Sequence, residues 1–138
     1  MIENIIKLEK TVVTFLNAFD GWDLTHTGDG FAKWDAEGLT PKGLECVMEM
    51  KFRKKHYFDK MLEKDKYDAL MKTGKVALYL VSDPKGTYYF WLNKLKMPET
   101  VDKYCPDTTM WTKKRVMKPV YLLPESLAIR VDRTDQAD

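Results

Sequence analysis

A chain of 138 residues is long enough to bury one ordinary domain core without disulfide or metal staples. Its 44% hydrophobic and 32% charged residues exclude a disordered chain. A formal net charge of +2 excludes an argument for nucleic acid from overall charge, so any basic surface has to be local.

In chain order, Ile2, Ile5, Ile6, Val12, Val13, Leu16 and Phe19 recur at three- and four-residue steps and predict a helix over 2–19. Glu9 falls in the centre of that apolar stripe. Burying an unpaired carboxylate costs several kcal/mol, so Glu9 either has a partner (a cation, a hydrogen-bond donor or a metal) or reaches water where the helix is less covered. Asp20-Gly21 ends the helix. Two short strands are expected next, Trp22–Thr27 and Phe31–Asp35, joined by the turn sequence Gly28-Asp29-Gly30. A loop through Pro41-Lys42-Gly43 then feeds a third strand over 47–53, making an antiparallel meander with Asp35 at a strand end where it can face Glu49 and Lys51.

That third strand alternates with a period of two. Cys46, Met48, Met50 and Phe52 fall on one face, and Val47, Glu49, Lys51 and Arg53 on the other. Glu49 and Lys51 lie about 6.6 Å apart at the usual strand rise, within reach of one ligand. Taken alone, these residues also fit a half-exposed strand with a cross-strand charge pattern, and Asp35 fits a turn-forming or solvated strand end.

The basic run Lys54-Lys55-His56 precedes a second predicted helix over 57–72, with Phe58, Met61, Leu62, Ala69 and Leu70 as its inner face and Gly74 past its end. Lys75–Ser82 and Thr87–Leu92 form a predicted hairpin around Asp83-Pro84-Lys85-Gly86. Residues 97–112 have no clear period; Lys113-Lys114-Arg115, a strand over 116–123 and a polar tail expected to fray follow. With no internal repeat or linker, one domain over 1–138 is expected. Cys46 and Cys105 match no zinc or redox spacing and read as reduced, structural thiols. The N-terminus lacks the order of a signal peptide and no apolar run reaches membrane-spanning length, so the expected location is cytoplasmic, without a membrane partner.

Trp34-Asp35-Ala36-Glu37-Gly38 followed by Cys46-Val47-Met48-Glu49-Met50-Lys51-Phe52-Arg53 resembles the core motif of the PD-(D/E)XK nuclease superfamily. That superfamily includes type II restriction enzymes, archaeal Holliday junction resolvases and phage exonucleases. The resemblance covers roughly Ile2 to Leu92 and extends to the placement of the motif after a helix with an inward Glu. Trp34 stands where the family has its proline. The implied fold is α/β with a restriction endonuclease-like core: a helix, a three-stranded antiparallel meander, a helix, and further strands in a mixed sheet flanked by helices. The implied cofactor is Mg²⁺, with Mn²⁺ as a substitute, held by Asp35, Glu49 and the Met50 carbonyl, with Glu9 completing the acidic cluster. Lys66 fits the slot where many relatives carry a Gln or Lys on the helix after the motif.

The residue types suit that chemistry. Hydrolysing a phosphodiester requires neutralising charge on the phosphate and generating hydroxide near neutral pH, which Mg²⁺ held by hard oxygen ligands can do. Lys51 would position or help deprotonate the attacking water and stabilise developing negative charge. Arg53, Lys54, Lys55 and Lys60 beside the site, and Trp111 with Lys113, Lys114, Arg115 and Lys118, fit phosphate backbones, which lend affinity but little sequence discrimination. The expected function is therefore structure-selective or non-specific cleavage of DNA, with a homodimer allowed but not required. RNA stays open as a substrate, and a catalytically inactive nucleic-acid-binding or interaction module on the same fold is the alternative.

Overall fold

The computed structural model describes residues 2–106 and 115–131. Helix α1 spans Ile2–Phe19, as the apolar spacing predicts. Its middle is the part that packs: Glu9, Val13 and Leu16 are buried, whereas Ile5 and Phe19, expected in the stripe, are 48% and 78% exposed. Phe19 lies at the helix end, where its ring packs on Phe15 instead of the sheet.

Strands β1 (Asp23–His26), β2 (Ala36–Leu39) and β3 (Glu45–Phe52) form the antiparallel meander. The strand expected over 31–35 is displaced. Phe31 is fully exposed, and pairing begins at Ala36 opposite Met48. The physical reason is a loop longer than Gly28-Asp29-Gly30: the Thr27 and Gly28 N–H groups both donate to the Asp35 carbonyl, at 2.8 and 3.1 Å, and close it there. Strand β3 is not half-exposed either, since Val47 and Met48, on opposite faces, are both wholly buried.

The helix expected over 57–72 divides into strand β4 (Asp59–Glu63) and helix α2 (Lys64–Met71). Phe58, expected on its inner face, is 57% exposed. Gly74 follows α2 with φ of 73°, a conformation that costs glycine nothing, and its N–H donates to the Met71 carbonyl. Strands β5 (Val76–Asp83) and β6 (Gly86–Trp91) are the expected hairpin. Strand β7 (Val101–Pro106) lies in the stretch that showed no period, and β8 (Arg115–Pro124) and the short β9 (Ile129–Arg130) complete the chain. Trp111, Lys113, Lys114 and the tail from 132 onward lie outside the described residues.

The strands form two sheets. A mixed six-stranded sheet runs β1-β2-β3-β5-β6-β9, with β3 and β5 parallel at its centre, and a second sheet runs β4-β8-β7. On one face of the larger sheet, Val13 and Leu16 of α1 pack on Met48, Met50, Leu78 and Leu80. On the other face, Leu62 of β4, Leu70 of α2 and Tyr121 and Leu123 of β8 cover Val47, Tyr79 and Val81. The charged face of β3 is thus roofed by α2 and the second sheet, and Glu49 and Lys51 are only partly exposed. No helix among the described residues is long and apolar enough to cross a membrane.

Candidate active site

Asp35 is fixed by backbone on two sides. Its carbonyl accepts from the loop after β1, its N–H donates to Met48 of β3 at 2.9 Å, and its carboxylate Oδ2 accepts from the Met50 N–H at 2.8 Å. The acid is thereby tied to the strand that carries Glu49 and Lys51. Pairing of β3 with β5 in parallel register sets those two side chains beside the ring of Tyr79, whose hydroxyl donates to the Met61 carbonyl of β4. A cleft of about 220 Å³ results, lined by Glu9, Asp35, Glu49, Met50, Lys51 and Lys66 among others. Lys66, on α2, brings its ammonium to 3.8 Å from Glu49.

Burial shapes the charges here. It pushes Glu49 up to about 8, and the neighbouring Asp35 carboxylate adds to the shift while Lys66 and Lys51 oppose it. Asp35 is also raised by burial, partly offset by the Met50 N–H. Lys51 is lowered by burial first and by the charge of Arg53 second. Asp35 and Glu49 offer hard oxygen donors, which suit Mg²⁺ rather than a soft metal, and the charge of such an ion would favour their ionised forms.

Glu9 is buried with a partner that the sequence did not disclose. His26 Nε2 lies 2.6 Å from its Oε1, although the two are far apart in sequence. The β1 strand carries His26 under the middle of α1. Burial raises the Glu9 carboxyl and the hydrogen bond to His26 lowers it, with a net rise. Glu9, His26 and Asp35 meet over Gly28: a methyl group on that residue would lie 2.5 Å from Glu9 Oε1, 2.9 Å from His26 Nε2 and 3.1 Å from Asp35 Oδ1. The constraint there is crowding rather than backbone angle: a methyl group would press on the ends of all three side chains.

The other expected residues separate. Arg53 lines the cleft and, with Lys55 and Arg115, a second groove beside it; Lys54 is exposed and lines neither. Lys60 is 3% exposed and holds Asp83 and Glu125 at 3.0 and 2.9 Å, so it is a structural cation and not a surface contact for nucleic acid. Lys118 likewise pairs with Glu63 at 3.0 Å. Among the described residues, the group that brings three donor atoms within 4.8 Å of one another is His56, Asp83 and Glu125. The Lys60 ammonium already supplies the positive charge in that group. Burial works against that charge, but the hydrogen bonds Lys60 donates to the Glu125 and Asp83 carboxylates outweigh it and raise the Lys60 pKa.

No protein-family model and no curated protein matches the sequence. Among solved structures, the chain is similar to a Holliday junction resolvase of the archaeal hyperthermophile Archaeoglobus fulgidus, with a TM-score of 0.59 and 16% sequence identity over 91% of this chain and 89% of that one. At that identity the likeness is one of fold, and the mixed sheet with its meander, central parallel pair and flanking helices is a restriction endonuclease-like α/β fold.

Proposed function

We propose that the chain is a metal-dependent nuclease that hydrolyses phosphodiester bonds in DNA and selects its substrate by structure. The observation that carries this reading is the cleft itself. Two carboxylates, Asp35 and Glu49, and two lysines, Lys51 and Lys66, come from three separate elements to one partly dry site. Asp35 and Glu49 would hold Mg²⁺, with Met50 beside them and Glu9 held behind Asp35 by His26. When bound, the ion supplies charge neutralisation at the phosphate and access to hydroxide near neutral pH.

The chain's own groups do the rest. Lys51, with a lowered pKa, is poised to exchange a proton with the attacking water and to donate to phosphate oxygens as charge builds. Lys66 offsets the charge of Glu49 and offers a second cation to the phosphate. The hydrogen bond from the Met50 N–H fixes Asp35, so little reorganisation is needed when substrate arrives. Likeness of fold to a resolvase supports a branched DNA substrate, as does a wall of cations suited to phosphates, with no base-reading helix beside it among the described residues.

The test is a panel of linear, nicked, branched and single-stranded DNA, with RNA alongside, each incubated with Mg²⁺, Mn²⁺, Ca²⁺ or EDTA. Cleavage of branched or nicked DNA with Mg²⁺ or Mn²⁺, weak cleavage with Ca²⁺ and none in EDTA is expected. Preference for RNA would overturn the substrate assignment, and full activity in EDTA the mechanism.

A further inference from the structure

Arg53 and Met61 line both the acidic cleft and a wider groove of about 520 Å³ beside it, between β4, the β5–β6 turn and the β7–β8 pair. That volume falls within the roughly 300–1,000 Å³ of pockets that take organic ligands. Three aromatic side chains stand in its wall with much of their surface in water: Tyr57, Phe58 and Tyr104 are 56%, 57% and 62% exposed. None of the three packs on another aromatic ring among the described residues.

These rings do not hold the fold together, yet the backbone beneath two of them is pinned. Buried Lys60 donates to the Tyr57 carbonyl, and the Glu125 N–H donates to the Phe58 carbonyl at 2.9 Å. Asp83 and Glu125 in turn fix Lys60. A loop with pinned backbone therefore presents two adjacent rings to solvent, an arrangement that favours a flat ligand because little loop freedom remains to be lost on binding.

Charge narrows the ligand class. Arg53, Lys55, Lys103 and Arg115 surround the rings. The acids in the wall are Asp59 and Asp83, and Asp83 is already paired with Lys60, so the groove favours an anion. Flat faces interleaved with cations match the repeating chemistry of a single strand, base and phosphate in turn. A duplex would leave the rings unused, since its bases are stacked on one another.

We propose that this groove binds unpaired nucleotides of the DNA strand that enters the acidic cleft, with Tyr57, Phe58 and Tyr104 stacking on bases and the four surrounding cations holding phosphates. The placement of the strand rests on the nuclease reading; the groove's affinity for unpaired bases does not.

Fluorescence anisotropy in EDTA tests it with three probes: a blunt duplex, the same duplex with a single-stranded thymidine extension, and the same extension built from abasic residues, which keep every phosphate and lose every base. Wild-type protein should bind the thymidine extension roughly tenfold more tightly than the abasic one. Phe58→Ala and Tyr104→Ala should erase that preference and leave blunt-duplex binding unchanged, and Phe58→Trp should retain it. Lys103→Ala should weaken both extended probes alike and lower the salt slope by about one. Equal affinity of wild type for the two extensions overturns the proposal, as does an undiminished preference in both alanine variants. Cleavage of the same probes with Mg²⁺ separates the two readings. Base-dependent binding without cleavage upholds the groove and removes the nuclease, whereas cleavage without base-dependent binding removes the groove alone.

Discussion

Replacing Glu49 with Gln keeps the shape of the side chain and removes its charge. The Glu49 side chain is 12% exposed, and burial together with the Asp35 carboxylate pushes it up to about 8 from an ordinary 4.5. Without metal, the folded protein therefore keeps a proton between about pH 4.5 and 8 that the unfolded chain has released. Stability must fall as pH rises through that window. At about 1.36 kcal/mol for each tenfold change in proton affinity, this one group costs the fold on the order of 5 kcal/mol above pH 8. Gln has nothing to titrate. In EDTA, denaturant unfolding of Glu49→Gln should thus give a more stable protein than wild type at about pH 8.5, by several kcal/mol, and the two should converge near pH 5. If Glu49 holds the ion, as proposed, added Mg²⁺ should stabilise wild type more than the variant, because an ion bound there favours the native state and needs the charge. Stability curves that run parallel across the whole pH range would refute the reasoning.

Three further outcomes follow from the same geometry. Gly28→Ala should cost about 1–3 kcal/mol in thermal unfolding and slow cleavage, because its methyl group is forced against Glu9, His26 and Asp35; an unchanged melt would mean these side chains move aside freely. Asp35→Asn retains an oxygen to accept the Met50 N–H, so the fold should persist while cleavage falls by about two orders of magnitude or more and Mg²⁺ no longer raises the melting temperature. Lys60→Met strands Asp83 and Glu125 without their ammonium partner and should cost about 3–5 kcal/mol by denaturant unfolding; a loss below about 1 kcal/mol would show that His56 alone suffices for them.

Legibility of the fold tracked the range of the interactions that set each element. Helix α1, strand β3 and the β5–β6 hairpin follow from local periodicity and turn residues, and all three occur where the sequence places them. Strand β4 was hidden because Phe58, Met61 and Leu62 have the spacing of a helix face. Pairing with β8, far along the chain, draws Asp59–Glu63 into a strand instead. Strand β7 shows no period because Val101, Asp102, Lys103 and Tyr104 are all exposed on an edge. At the site, Asp35, Glu49, Lys51 and Lys66 are readable from motif and spacing, and the structure brings them to one cleft with Glu9. The partner of Glu9 was not readable, since only the sheet sets His26 beneath α1. A carboxylate in the middle of an apolar stripe was the available signal, and it required a partner without naming one. Lys60 misleads for the opposite reason: a lysine just past a basic run looks solvated until the fold closes Asp83 and Glu125 around it.

Single-turnover cleavage of a labelled four-way DNA junction by wild type and Lys51→Ala, each with Mg²⁺ and with EDTA, tests the proposed catalytic role of the cleft most directly. Wild type with Mg²⁺ should yield product, neither protein should do so in EDTA, and folded Lys51→Ala should be slower by about two orders of magnitude or more with Mg²⁺. Wild-type rates from the folded Lys51→Ala protein, or product in EDTA, would contradict the assignment of this cleft as the catalytic centre.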